Sequence, residues 1–266
     1  MREGAVWPAP PDDGKHNPPG ALAADAAATH RQFRMRVATE GNERPAPRPP
    51  SRVAAFWGNP IGKKALMGVT GIVLALYVLA HMLGNLQIFG GPGPINRYAA
   101  LLHASPPLLW TARVILLAAL FVHVVAGVQL WLGKRAARPV EYRELRPVVS
   151  STASRTMIVS GLLILLFVVY HVLDLTIGVA NPSYVELDPY HNVIASLGRA
   201  AAAIAYVVAM VALGFHLWHG LWSMSQSLGV ASARLTPGVK RVAVFFATII
   251  ALGFISIPVA VLVGVL

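Results

Sequence analysis

Two apolar segments of the chain end on a histidine at the same distance from a pair of small residues. Residues 67–81 read MGVTGIVLALYVLAH and residues 157–171 read MIVSGLLILLFVVYH, so both fit M-x2-[ST]-G-x9-H. Two further apolar segments contain the pattern H-x3-G, beginning at His123 and at His216. Histidine is a common ligand of metals and a carrier of protons, so four such segments indicate a shared site inside the apolar part of the protein.

The composition indicates that these segments lie in a membrane. The chain is 56% hydrophobic and 12% charged, whereas soluble domains are about 25% charged. Because a membrane-spanning helix needs about 20 apolar residues, the sequence predicts an all-α membrane protein, a bundle of five transmembrane helices. Their predicted bounds are about 64–88, 107–133, 155–180, 197–228 and 241–265. Strand-like alternation is missing from the sequence, which argues against a barrel.

The basic residues predict the orientation of the bundle. With the N-terminus in the cytoplasm, all of the 22 basic residues except Arg97, Arg113 and Arg199 fall on the inner side. This is the positive-inside pattern, so the net charge of +11 does not indicate a nucleic-acid partner. Residues 1–50, rich in Pro, Ala and Arg, are predicted to be a disordered cytoplasmic tail, and residues 51–266 to be the membrane domain.

The predicted heights of the histidines form two pairs. Measured from the inner end of each span, His81 and His171 lie about 25 and 24 Å up, and His123 and His216 about 16 and 20 Å up. Four membrane histidines, one on each of four spans, favour two stacked sites in which two imidazoles bind one haem b. The chain has no cysteine, which excludes covalent haem attachment and iron–sulfur ligation by this chain.

Small and polar residues near these histidines are candidate surroundings of the haems. Eleven residues are almost three helical turns, so Thr70 and Ser160 share a face with His81 and His171 and lie about 16 Å further inward. Small residues would let a macrocycle approach the backbone, although ordinary helix packing is the alternative. These small residues are Gly71, Gly161, Gly127 and Gly220.

Two further ionisable residues in the spans allow more than one interpretation. His219 is an alternative ligand to His216, a hydrogen-bond donor to it, or a quinone contact; H-x3-G favours His216 as the ligand. Asp174, one turn after His171, either supports the outer haem, passes protons or lies at the interface.

The order of short motifs resembles a known family, the di-haem cytochrome b anchors of succinate:menaquinone oxidoreductases, which are related to fumarate reductase anchors. The resemblance covers about 52–266 and rests on KKALMGVTG (63–71), HMLGNLQIF (81–89), INRYAALLH (95–103), KRAARPVEY (134–142), SRTMIVSG (154–161), HVLD (171–174) and FHLWHGLWSMSQSLG (215–229). It implies four haem ligands, paired as His81 with His171 and His123 with His216. It also implies a location in the bacterial cytoplasmic membrane.

The resemblance further implies the rest of an enzyme complex. A flavoprotein subunit with FAD and an iron–sulfur subunit would dock on the cytoplasmic face, succinate would be oxidised in the flavoprotein, and electrons would reach menaquinone through the anchor. Oligomers of the whole complex are compatible with it.

The face that holds the quinone is left open by the sequence. The inner candidates are Lys63, Ser154, Arg155, Trp222, Ser223 and Gln226, and the outer candidates are Asn85, Gln87, Arg97, His103 and Asp174. Arg97 and His103 are also candidates for contacts with haem propionates.

Three classes of function compete. A fumarate reductase anchor would have the same sequence features as a succinate dehydrogenase anchor. Another di-haem cytochrome b, of a hydrogenase, formate dehydrogenase or nitrate reductase, would differ in ligand spacing and loop motifs. A structural bundle or transporter would use the histidines for packing or proton relay and would bind no haem.

Overall fold

Long apolar helices make up most of the computed structural model, which describes residues 28–32, 51–137, 156–229, 232 and 234–266. From residue 51 onward the helices are α1 Arg52–Gly58, α2 Pro60–Asn85, α3 Pro92–His103, α4 Pro106–Ala136, α5 Met157–Leu175, α6 Pro189–Leu197, α7 Ala200–Ser227 and α8 Thr236–Leu262, with a 3-10 turn at Leu86–Gly90. Helices α2, α4, α5, α7 and α8 are each long and apolar enough to cross a membrane. The predicted all-α class with five membrane helices is therefore confirmed within the described residues, which contain no strand.

The helix ends follow from local sequence. Helix α2 starts at Pro60, whose fixed φ suits the first helical position, and the Asn59 side chain accepts a hydrogen bond from the Ile61 N–H. Helix α5 stops at Leu175, short of the position 180 expected for this span, because the chain then turns through Gly178 at φ 86°. The Tyr184 ring lies where a Cβ of residue 178 would be, so this turn accepts only glycine.

The membrane helices pack around small residues. Helix α7 packs against α2, α5 and α8, and α2 also packs against α4. A buried cluster joins Ala75 and Met82 of α2 with Leu217 of α7 and Ile250 of α8. Many large apolar side chains of the same helices remain exposed, for example Phe121 and Phe245 at 69% each, as expected for surfaces that face lipid.

The end of the bundle that is predicted to face outward is covered by α3, α6 and the segment before α6. Asp188 accepts hydrogen bonds from the His191 N–H at 3.0 Å and from Asn96 Nδ2 at 2.9 Å. Chiefly through the His191 backbone bond, these donors hold the pKa of the Asp188 carboxyl below its usual range. Asn192 holds the segment to α6 through its bonds with the Val185 N–H and carbonyl. This cover positions Ser196 and Arg199 above the membrane helices.

Candidate functional site

Four membrane histidines form two pairs across the bundle. The ring centroids of His81 on α2 and His171 on α5 are 5.7 Å apart, with an interplanar angle of 87°. Those of His123 on α4 and His216 on α7 are 6.2 Å apart, with an angle of 57°. These are the same two pairs that the predicted heights give. One pair joins α2 with α5, and the other joins α4 with α7.

The inner pair is held by backbone carbonyls. His123 Nδ1 lies 3.1 Å from the Met67 carbonyl oxygen, which can only accept, so Nδ1 carries the proton and donates it. The Thr70 hydroxyl is 3.4 Å from the same nitrogen and itself donates to the Leu66 carbonyl at 2.7 Å. Because Nδ1 carries the hydrogen, the other ring nitrogen of His123, Nε2, is left as a free acceptor or metal ligand.

The second copy of the repeat holds His216 in the same way. The Met157 carbonyl is a hydrogen-bond partner of His216, and the Ser160 hydroxyl lies 3.4 Å from its Nδ1. The motif M-x2-[ST]-G therefore supplies a carbonyl, a hydroxyl and a gap to the imidazole of a neighbouring helix. The methionines contribute through their backbone, which the sequence pattern did not reveal.

The glycine of the motif makes room for the imidazole. A Cβ added to Gly71 would lie 3.4 Å from His123 Cε1, and one added to Gly161 would lie 3.3 Å from His216 Cε1. The structure thus assigns these two glycines to histidine docking, where the sequence analysis expected an approach of the macrocycle. Gly220 has open space at its Cβ position, and the nearest atom to that position at Gly127 is Met67 Sδ at 3.8 Å.

The outer pair is held by side chains. His171 Nδ1 is 3.2 Å from the Tyr206 hydroxyl oxygen, and that hydroxyl donates to Asp174 Oδ2 at 3.0 Å. Asp174 is fully buried and also accepts hydrogen bonds from Ser196 Oγ and from Arg199, the latter at 2.8 Å to Oδ1. Among the described residues the Arg199 Nε is a buried donor without a hydrogen-bond partner.

His81 differs from its three counterparts. Asn85 Nδ2 donates to the His81 carbonyl oxygen at 2.8 Å and lies 3.3 Å from His81 Nε2. The Tyr77 ring stacks on the His81 imidazole at 5.4 Å. Binding of a metal through Nε2 of His81 therefore requires the Asn85 amide to turn away from the ring.

The pair spacing fits two axial ligands of one iron. An imidazole nitrogen lies about 2 Å from a metal that it binds, so two such rings on opposite sides have centroids about 6 Å apart. The measured separations of 5.7 and 6.2 Å match this value. The donors also fit, since the Nδ1 bonds of three histidines leave Nε2 for the metal.

The other candidates for an outer quinone site are not gathered around Asp174. Arg97 and His103 lie exposed on α3, and His103 Nδ1 is hydrogen-bonded to the Ala99 carbonyl of its own helix at 2.8 Å. Gln87 is half-buried in the 3-10 turn. Asn85 contacts His81, whereas Asp174 is linked to His171 through the Tyr206 hydroxyl, so the two polar groups lie beside different histidines.

The inner candidates lie near the start of α2 and the end of α7. These ends are in contact, because a Cβ at Gly68 would lie 3.4 Å from Met224 Cγ. The Trp222 ring is covered by the Lys240 ammonium at 4.6 Å, whereas Gln226 is exposed. His219 is half-buried, and Lys63 and Ser223 are also half-buried at these helix ends. Ser154 and Arg155 lie outside the described residues.

Three residues of the outer site were not predicted as such. Tyr206 and Ser196 carry no motif, and only the structure shows that they meet Asp174. Arg199 had a usable signal, since a carboxylate within a span calls for a cation on another helix. Arg199 is one of the three basic residues near the outer side.

Paired histidines join four of the five long apolar helices, an arrangement that b-type membrane cytochromes would use to hold haem. Residues 133–255 match the family model described as "Succinate dehydrogenase/Fumarate reductase transmembrane subunit". This range contains His171 and His216 but not the histidines of α2 and α4. The predicted resemblance is confirmed as a similarity to the transmembrane subunits of succinate dehydrogenase and fumarate reductase, and the protein is a multi-pass membrane protein.

A particular relative extends the similarity beyond the family match. The "Succinate dehydrogenase cytochrome b558 subunit" of Bacillus subtilis (strain 168) is 25% identical over 187 residues, which is 70% of this chain and 86% of the relative. No solved structure matches the chain.

Proposed function

We propose that this chain is the di-haem membrane anchor of a succinate:quinone oxidoreductase and carries electrons from an iron–sulfur subunit to menaquinone. The observation that carries the proposal is the double pairing of His81 with His171 and of His123 with His216, at spacings that suit axial ligands. The relationship to succinate dehydrogenase and fumarate reductase anchors supports the reaction class.

His81, His171, His123 and His216 would hold haem b, which would supply one-electron chemistry. The chain's own residues fix the rings. Carbonyls of Met67 and Met157 orient the inner histidines, and Tyr206 orients His171. Apolar helix surfaces keep water away from both pairs.

The two pairs lie at different depths. Thr70, beside His123, is 11 residues before His81 on the same helix, which puts the levels of the two pairs about 16 Å apart along α2. Such a stack suits passage of electrons from one face of the membrane toward the other. With a cytoplasmic N-terminus, the inner pair is the nearer one to a docked iron–sulfur subunit.

Succinate oxidation belongs to a partner flavoprotein with FAD, and iron–sulfur clusters belong to a second partner; this chain contributes no catalytic residue to that step. Both partners are proposed to dock at the cytoplasmic ends of the helices. Fumarate reduction is the reverse use of the same anchor, and the family match covers both kinds of subunit.

Two quinone positions are consistent with the fold. The inner one lies by Trp222 at the joined ends of α2 and α7, beside the proposed docking face. The outer one lies by Asn85 and the cover of α3 and α6. A Trp222→Ala variant assayed for succinate:quinone reductase activity distinguishes them, because loss of quinone reduction with unchanged succinate-dependent haem reduction places the quinone inside.

The difference spectrum of the purified complex tests the proposal. Succinate added to the oxidised complex is expected to produce reduced b-type haem bands from this subunit. Haem that is present but is reduced only by a chemical reductant would contradict the proposed electron path.

A further inference from the structure

The hydrogen bonds around Asp174 have one possible direction. An ionised carboxylate only accepts, so Ser196, Arg199 and Tyr206 must all donate to Asp174. The single hydrogen of the Tyr206 hydroxyl is therefore used in the bond to Asp174. Toward His171 the same oxygen can only accept, so the proton of the imidazole must be on Nδ1.

This direction determines what His171 can bind. With Nδ1 protonated and donating, Nε2 carries the lone pair and is the nitrogen available to a metal. The chain from Asp174 through Tyr206 to His171 thus does for the outer histidine what the Met67 carbonyl does for His123.

The Asp174 end of this series of hydrogen bonds is held rigidly. Asp174 and Ser196 are both completely buried. The Arg199 guanidinium pairs with Asp174 and also donates to the Ala180 carbonyl at 3.1 Å, which ties the carboxylate to the outer segment. The Tyr206 ring is packed edge-on by Phe167 at 4.8 Å and by Tyr170 at 6.0 Å. Neither the carboxylate nor the phenol has room to turn without breaking these contacts.

We propose that Tyr206, held by Asp174, is a positioning residue that fixes the tautomer and ring orientation of His171 and so tunes the outer haem. This inference rests on the proposed function. Asp174 then acts as a fixed acceptor with three donors. Of the roles predicted for Asp174, this favours support of the outer haem over the passage of protons.

The expected effect is a change of redox potential without loss of the fold. Hydrogen bonding from Nδ1–H makes an imidazole a better donor to the metal, and partners of this kind change metal affinity or activity by about 10- to 100-fold. Tyr206→Phe removes the acceptor, so the oxidised iron loses more stabilisation than the reduced iron. A tenfold difference corresponds to an upward shift of about 59 mV in a one-electron potential.

The test is a potentiometric haem titration of the purified complex, with low-temperature electron paramagnetic resonance of the oxidised form. Tyr170→Phe is the matched control, because Tyr170 touches Tyr206 but stands outside the hydrogen-bonded chain. The titration step of the outer haem is identified in the His123→Ala variant, in which the inner histidine pair is broken. Tyr206→Phe is expected to raise the outer potential and shift its resonance, and the control to match wild type.

Each outcome of the titration either supports or overturns the positioning role of Tyr206. An unchanged outer potential in Tyr206→Phe, or an equal shift in Tyr170→Phe, overturns the inference, while selective loss of the outer haem in Tyr206→Phe supports it. If Tyr206→Phe does not assemble, Asp174→Asn replaces it, with a smaller upward shift expected and no shift overturning the inference. A wild-type complex without haem would instead overturn the proposed function itself.

Discussion

Replacing Gly161 with valine should damage the inner haem site while leaving the helix intact. Gly161 faces the His216 imidazole, and a Cβ built there would lie 3.3 Å from Cε1 and 3.7 Å from Nδ1 of that ring. The two Cγ atoms of valine extend about 1.5 Å beyond Cβ. They would occupy the space through which the ring reaches the Met157 carbonyl, so His216 must move.

The size of the effect follows from overpacking. Forcing extra methyl groups into a filled site costs about 1–3 kcal/mol. At 1.4 kcal/mol per tenfold, this is a loss of about 5- to 150-fold in haem affinity at the inner site. Helix stability does not fall with it, since valine has a higher helix propensity than glycine by a few tenths of a kcal/mol.

The assay is the haem content of the purified protein together with its reduced spectrum. Gly133→Val is the matched control, because this glycine lies near the inner end of α4 with nothing within 4 Å of its Cβ position. Gly161→Val is expected to lose the inner haem and keep the outer one, and the control to keep both. Full haem content with an unchanged spectrum in Gly161→Val would refute the role assigned to the motif.

Three further predictions concern other parts of the chain. His216→Ala should lose the inner haem and His219→Ala should keep both, as measured by haem content; two haems in His216→Ala would make His219 the ligand. Asn85→Ala should keep the outer haem, because the amide has to leave His81 Nε2 for ligation; loss of that haem would show that Asn85 is required. Asp188 has a lowered pKa in the folded chain, so it stabilises the outer cover above its unfolded pKa, and this contribution is lost as pH falls below about 4. Asp188→Ala should remove this pH dependence and cost about 1 kcal/mol at neutral pH, measured by hydrogen exchange of 189–197; an unchanged exchange rate would contradict it.

The membrane architecture and the histidine pairs could be predicted from the sequence because both depend on simple periodic features. Runs of apolar residues set the helices, and distance from the charged helix ends set the heights of His81, His123, His171 and His216. The count needs only the rise per residue, so the order of the heights survives errors of a few residues at each boundary. The separation of the two levels is larger in the structure than the predicted heights gave, because Thr70 lies beside His123.

The partners of the histidines could not be predicted in the same way, because they depend on the rotation of neighbouring helices. Thr70 and Ser160 were assigned to the level of the inner pair by counting turns. That count could not show that Gly71 and Gly161 face an imidazole or that methionine carbonyls accept a hydrogen bond from it. Tyr206 reaches both His171 and Asp174 only because α5 and α7 pack closely, and no local pattern encodes that contact.

The most direct test of the account is the number of haem b groups per chain, measured by pyridine haemochrome on purified protein with the His171→Ala and His123→Ala variants. Two haems per chain are expected in wild type and one in each variant, with different haems lost. Zero haem in wild type, or unchanged haem content in both variants, would contradict the assignment of the paired histidines as axial ligands.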